Sequence, residues 1–239
     1  MQLKRNWKSI FFQPLIGVAL SILAETSLAV GVLAQPNLNQ DELEDAVRRS
    51  SEQQRREQEE RQREQEQRQR QQQAEEQRRQ EQAERSRLIE AGKNYLNAGN
   101  FADAEATFRQ LLQKYPQDPY LYYQLGNVFF RQNKPEEAIA QYQQAIRGNS
   151  KYAVAYNAIG MVRASQGRWE EAISEYQKAL EINPDYAEAL YNFGLALFQQ
   201  GKQAEAIAAL EKARNLFKEQ GRLQELRRVE QVLQETARQ

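Results

Sequence analysis

Residues 153–186 read AVAYNAIGMVRASQGRWEEAISEYQKALEINPDY, and this stretch decides the fold. Its first half carries Gly160, its second half Ala172, Tyr176 and Ala179, and Pro184 closes it. The same order of small and large residues returns throughout the C-terminal half. Gly92, Gly126, Gly160 and Gly194 follow one another every 34 residues. Twelve residues after each comes Ala104, Ala138, Ala172 or Ala206, and four further on Phe108, Tyr142, Tyr176 or Leu210. Three beyond that stands Leu111, Ala145, Ala179 or Ala213. A fixed period with a repeated pattern of this kind is the signature of stacked structural repeats. Such a scaffold usually offers a surface rather than a catalytic pocket.

In register, the repeats are 85–118, 119–152, 153–186 and 187–220, with no residue inserted or lost between them. Each half-repeat has helical periodicity. Tyr122, Leu125 and Phe129, or Leu190, Phe193 and Leu197, fall on one stripe of a helix, as do Ala138, Tyr142 and Ala145 in a second half. Between the halves lie Gly99, Asn133, Gly167 and Gly201, which tolerate the left-handed conformation that ends a helix. Pro116 and Pro184 stop second helices, because the residue before a proline resists the helical region. Each repeat is therefore helix, tight turn, helix. The recurring glycine is expected to face the recurring alanine, so that two backbones can approach. Leu223, Leu226, Val229, Val232 and Leu233 continue an apolar stripe after Gly221. Residues 221–239 are read as a capping helix over 222–237 with a short tail, since a stack needs a polar-backed end.

These residues resemble the tetratricopeptide repeat family. Its pattern appears in the third repeat as Tyr156, Ile159-Gly160, Ala172, Tyr176, Ala179 and Pro184, and in the fourth as Leu190, Phe193-Gly194, Leu197, Ala206, Leu210 and Ala213. Departures are local: Arg163 occupies a usually apolar position, Ser150 and Lys218 replace the closing proline, and Pro135 opens a second helix. The resemblance implies an all-α fold, a right-handed α-solenoid of antiparallel helix pairs whose first helices line a concave face. Carried onto this chain, the groove residues are Lys93, Tyr120, Tyr123, Asn127, Phe130, Asn157, Met161, Tyr191, Asn192, Leu195 and Phe198. The alternative is that several of them pack against the neighbouring repeat. Substituting Tyr123, Phe130 and Phe198 together is expected to abolish partner capture without unfolding the array. One subfamily grips a C-terminal carboxylate through a lysine–asparagine clamp. The corresponding positions here hold Ile89, Lys93, Gln124, Val154 and Ala158, so that clamp is missing.

Upstream, Arg48 to Arg87 contains 12 Arg, 10 Glu and 13 Gln and no apolar residue except Ala74 and Ala83. All three abundant types favour helices. Glu precedes Arg by four residues at Glu52–Arg56, Glu57–Arg61, Glu59–Arg63, Glu64–Arg68, Glu66–Arg70, Glu75–Arg79 and Glu81–Arg85, each pair worth about 0.2–0.5 kcal/mol in an isolated helix. A coiled coil would need apolar residues at two positions of every heptad. Residues 48–84 therefore read as a charged rod, either a solvated single helix or partly disordered, and 35–47 as a flexible linker leading into it. Self-association through the rod, making the chain a cell-envelope assembly factor, is the second reading.

Residues 1–34 open with Lys4, Arg5 and Lys8, run through an apolar stretch, and end Val32-Leu33-Ala34. That order is an export signal cut after Ala34, which would place the mature protein outside the cytoplasm and, in a Gram-negative-type cell, in the periplasm. A membrane anchor over residues 11–34 is the competing reading, opposed by Gln13, Pro14 and Glu25.

The whole chain of 239 residues carries 33 basic and 33 acidic side chains and lacks both His and Cys. A balanced charge gives no field to draw it onto nucleic acid. Lack of His and Cys removes imidazole and thiolate metal sites, disulfides and the usual nucleophile–base pairs. No catalytic, cofactor-binding or metal-binding residue stands out, and no cofactor or small-molecule substrate is implied. The expectation is a non-enzymatic scaffold binding a protein or peptide, with the membrane involved only if residues 1–34 remain attached.

Overall fold

The computed structural model describes residues 40–236. The export signal or anchor read over residues 1–34 lies outside the described residues. Among them, no helix is long and apolar enough to cross a membrane. The chain divides into two units that meet in sequence at Arg78 and Arg79. One helix, α1 (Gln40–Asn97), provides the described part of the first unit and opens the second.

In the first unit the rod is α-helical throughout, and the helix begins at Gln40, inside the stretch expected to be a flexible linker. Asp41, Glu44 and Asp45 stand near its N-terminus, where carboxylates favour the helix dipole. The side chains of Arg55 to Arg78 are exposed. Three expected ion pairs close, Glu57–Arg61 at 3.2 Å, Glu64–Arg68 at 3.5 Å and Glu66–Arg70 at 3.7 Å. Glu52, expected to pair with Arg56, instead meets Arg48 at 3.4 Å. A carboxylate with an arginine four residues away on either side can satisfy only one of them well.

The second unit is a stack of helices in consecutive pairs. After the end of α1 come α2 (Phe101–Lys114), α3 (Pro119–Arg131), α4 (Pro135–Gly148), α5 (Ala153–Ser165), α6 (Trp169–Ile182), α7 (Ala187–Gln199), α8 (Gln203–Glu219) and α9 (Leu223–Thr236). The 34-residue segments read from sequence each hold one such pair. Proline opens both α3 and α4, where its missing N–H costs nothing. Asp118 caps α3 by accepting the Tyr120 backbone N–H at 2.9 Å. The turns inside the repeats adopt the left-handed conformation, with φ 59° at Asn133 and 74° at Gly167. Lys134 N–H then reaches back to the Phe129 carbonyl at 2.9 Å, which satisfies a carbonyl the helix leaves open.

A row of large second-helix side chains lies in the core of the stack. Phe108, Tyr142, Tyr176 and Leu210 are buried, and each lies against the glycine sixteen residues before it. A Cβ at Gly126 would stand 2.5 Å from Tyr142 Cε1, and one at Gly160 the same distance from Tyr176 Cε1. At Gly194 it would stand 2.7 Å from Leu210 Cγ, and there an alanine backbone atom, the Ala206 oxygen at 3.2 Å, also comes near. The expectation that glycine faces alanine is thus corrected. The glycine makes room for the large side chain one helical turn beyond the alanine, because a ring needs more clearance than a backbone.

At the C-terminal end, α9 packs its apolar stripe on α8. Val229 is fully buried beside Phe217, and Gln203 Nε2 donates to the Thr236 carbonyl at 2.7 Å. Arg222 bridges Glu188 and Glu225, while at the other end Arg85 pairs with Asp118 rather than with the expected Glu81.

Candidate partner-binding face

The first helices of the repeats are the end of α1, α3, α5 and α7. Because the period is constant, each contributes residues at equivalent places. Lys93, Asn127, Met161 and Leu195 form one row, and Tyr123, Asn157 and Tyr191 part of the next. Phe130 and Phe198 occupy a third, with Ala164 between them in register.

Exposure separates these candidates. Met161 is 41% exposed, and Leu195 is half-buried without belonging to any of the core clusters. Lys93 is half-exposed and donates to Glu90 at 2.9 Å, a bond that raises its pKa. Tyr120, Tyr123 and Phe130 pack at the edge of the core around α3, Phe198 against the α6–α8 cluster, and Tyr191 against the cluster that α9 closes. Tyr123, Phe130 and Phe198, whose joint substitution is expected to abolish partner capture without unfolding the array, are each partly buried against these clusters, so the substitution bears on packing as well. They present one edge outward and support the stack with the other.

The amides are spent on one another. Asn157 is 5% exposed and its Oδ1 accepts from Asn192 Nδ2 at 2.9 Å, joining α5 to α7. Its own Nδ2 contacts Met161 Sδ at 3.7 Å. Asn127 accepts from the Tyr142 hydroxyl at 2.8 Å and donates to Gln124 Oε1 at 3.3 Å. As groove candidates Asn157 and Asn127 would hydrogen-bond a peptide backbone, yet both serve the packing of neighbouring helices. A buried amide left without such partners would be costly.

Tyrosines fill the space around them. The Tyr123 ring lies 5.8 Å from that of Tyr142 and 5.8 Å edge-on from that of Tyr152. Burial pushes the phenols of Tyr123, Tyr186 and Tyr191 up, and that of Tyr152 to about 12, so they keep their protons past the pH at which a free tyrosine ionises. Tyr152 and Tyr186 are not among the residues the sequence singles out, and Gln124 appears there only as a position of the missing clamp. Tyr152 and Tyr186 stand just before α5 and α7, outside the first helices themselves, although their 34-residue separation is a usable signal.

Similarity to known proteins falls on the same residues. Family models described as "Tetratricopeptide repeat" match residues 89–153 and 187–219, and one described as "TPR repeat" matches 160–201. A crystal structure of MamA is similar with a TM-score of 0.51 at 30% identity, over 58% of this chain and 81% of that one. The structure of PilF from Pseudomonas aeruginosa shares the fold with a TM-score of 0.51 at 24% identity, over 64% of this chain and 76% of the other. No curated protein matches the chain.

Proposed function

This chain belongs to the tetratricopeptide repeat family, and from that premise we propose that it is an exported, non-enzymatic scaffold capturing a protein or peptide partner on the face lined by its first helices. Repeats of this family are in general protein-interaction modules. The observation that carries the reading is the row Met161–Leu195. It places an exposed methionine and a half-buried leucine outside the core clusters, on the same first helices that carry Tyr123 and Tyr191. Thioether and aliphatic chains can repack around a ligand, while tyrosines give contact area at low entropic cost. An extended or helical segment with hydrophobic anchors is the chemistry such a face receives.

The export half of the proposal rests on the basic start, apolar run and Val32-Leu33-Ala34 end of residues 1–34. Periplasmic protein of intact mass beginning at Gln35 is the expected product of cell fractionation. Crosslinking and pull-down of the tagged chain from its own cells tests the binding half. The double substitution Met161→Glu and Leu195→Glu should lose the partner while its thermal melt stays that of the wild type. Undiminished capture by this variant would remove the face from consideration.

A further inference from the structure

The chain holds two methionines, Met1 and Met161, and no cysteine. Met161 therefore carries the only sulfur among the described residues. With no thiol to compete, its thioether is the softest nucleophile there for a two-electron oxidant such as a peroxide. It is also accessible, 41% exposed in the middle of the first helix α5. The same place in the other repeats holds Lys93, Asn127 and Leu195, none of which a peroxide oxidises.

The two sides of this sulfur differ. Asn157 Nδ2, one helical turn earlier, donates to Met161 Sδ at 3.7 Å. That amide is held in place. Its Oδ1 accepts from Asn192 Nδ2 at 2.9 Å, Tyr186 hydrogen-bonds to the same side chain, and the residue is 5% exposed. Turning it over would set its NH₂ against that of Asn192, donor against donor. A thioether sulfur has two lone pairs, one on each side of its C–S–C plane. The buried N–H lies against one of them, and the other is left to the open side.

We propose that Met161 is a site of reversible oxidation by peroxide, that Asn157 directs the oxygen to one side of the sulfur, and that the sulfoxide switches off the first-helix face. The free lone pair attacks one peroxide oxygen. An S–O bond forms as the O–O bond breaks, sulfur gives up two electrons, and the second oxygen of hydrogen peroxide leaves as water. The product is a polar, chiral sulfoxide in the row Met161–Leu195. Reversal needs a dithiol, which becomes a disulfide while the oxygen leaves as water, through one of the two stereospecific classes of methionine sulfoxide reductase. Oxidation and its direction stand on the geometry of the sulfur, with Asn157 as a positioning residue. The switch rests on the reading that this row captures the partner.

The test treats the full chain with hydrogen peroxide. Peptide mapping should find one added oxygen on Met161. Chromatography of the digest should show one sulfoxide epimer exceeding the other about fivefold, so that one reductase class restores most of the protein and the other little. Asn157→Asp keeps the acceptor for Asn192 and loses the N–H, and Asn157→Leu is its uncharged counterpart. Both should bring the epimer ratio close to one while circular dichroism reports a folded stack. In pull-downs, peroxide should lower capture by the wild type and leave Met161→Leu unaffected. Equal epimers in the wild type, an unchanged ratio in both Asn157 variants, or a Met161 left intact while free N-acetylmethionine amide is consumed would overturn the site. Undiminished capture by the oxidised wild type would overturn the switch. The Met161→Glu/Leu195→Glu variant then separates the two failures: capture by it removes the face as well, and loss of capture by it removes the switch alone.

Discussion

A methyl group added to Gly160 would fall 2.5 Å from Cε1 of Tyr176 and 2.7 Å from its Cδ1, inside any tolerated contact. The ring is 2% exposed. Gly160→Ala should therefore destabilise the stack by about 1–3 kcal/mol, the cost of overpacking, despite alanine's better helix propensity. If the ring is the obstacle, Tyr176→Ala should recover part of that loss in a double-mutant cycle measured by denaturant unfolding. Strict additivity would assign the glycine's role elsewhere. The need for glycine is legible in the sequence because the residue recurs with the period. Its partner is not, since a small residue and a large one both recur on the facing helix and only the packed geometry selects between them.

Among the helices, the two ends of the described chain rest on different physics. The rod portion of α1 has exposed i,i+4 pairs, such as Arg61–Glu57 with side chains 70% and 48% exposed. Such pairs contribute about 0.3–0.5 kcal/mol each and are screened when the Debye length shrinks to about 3 Å at 1 M salt. Heating the full chain in 1 M NaCl should bring forward a gradual loss of 222 nm ellipticity that precedes the cooperative melt of the repeats. Insensitivity to salt would mean that the ion pairs do not support the rod. At the other end α9 is held by apolar burial. Val229→Ala should cost about 1–3 kcal/mol, read from the shift of the cooperative unfolding midpoint. Composition leaves the rod either helical or partly disordered, and the structure decides for a helix, starting at Gln40. Its acidic residues Asp41, Glu44 and Asp45 suit a helix N-terminus, but they fall inside a stretch that reads as a linker in the sequence.

For the repeat unit as a whole, the tyrosines couple folding to alkaline pH. Burial raises the phenols of Tyr142, Tyr176 and Tyr186, and lifts Tyr152 to about 12. In the unfolded chain a phenol titrates near about 10. Below that value both states keep their protons, and stability should be flat from pH 7 to 9. Above it the unfolded chain releases protons that the folded one retains, so stability should fall as pH rises from 10 towards 12. Thermal melts across that range check the sign, and Tyr142→Phe should make the fall shallower. An unchanged midpoint up to pH 12 would show that the phenols are not held in their neutral form.

Period, helix pairing, turns and cap are all written in the sequence. They depend on local propensity and on spacing along one chain, which a 34-residue register preserves without error. Packing decides the rest, because it depends on which surfaces meet across helices. It turns Asn127 and Asn157 from ligand donors into links between helices, sets Phe130 and Phe198 partly into the core, and brings Tyr152 and Tyr186 beside the candidate face. It also sets Arg163 between Glu136 and Glu171, at the register position where the repeats on either side bury Phe129 and Leu197. A residue's type and place in the repeat follow from the chain alone. Whether its polar atoms remain free for a partner is fixed only once every neighbour has made its own hydrogen bonds.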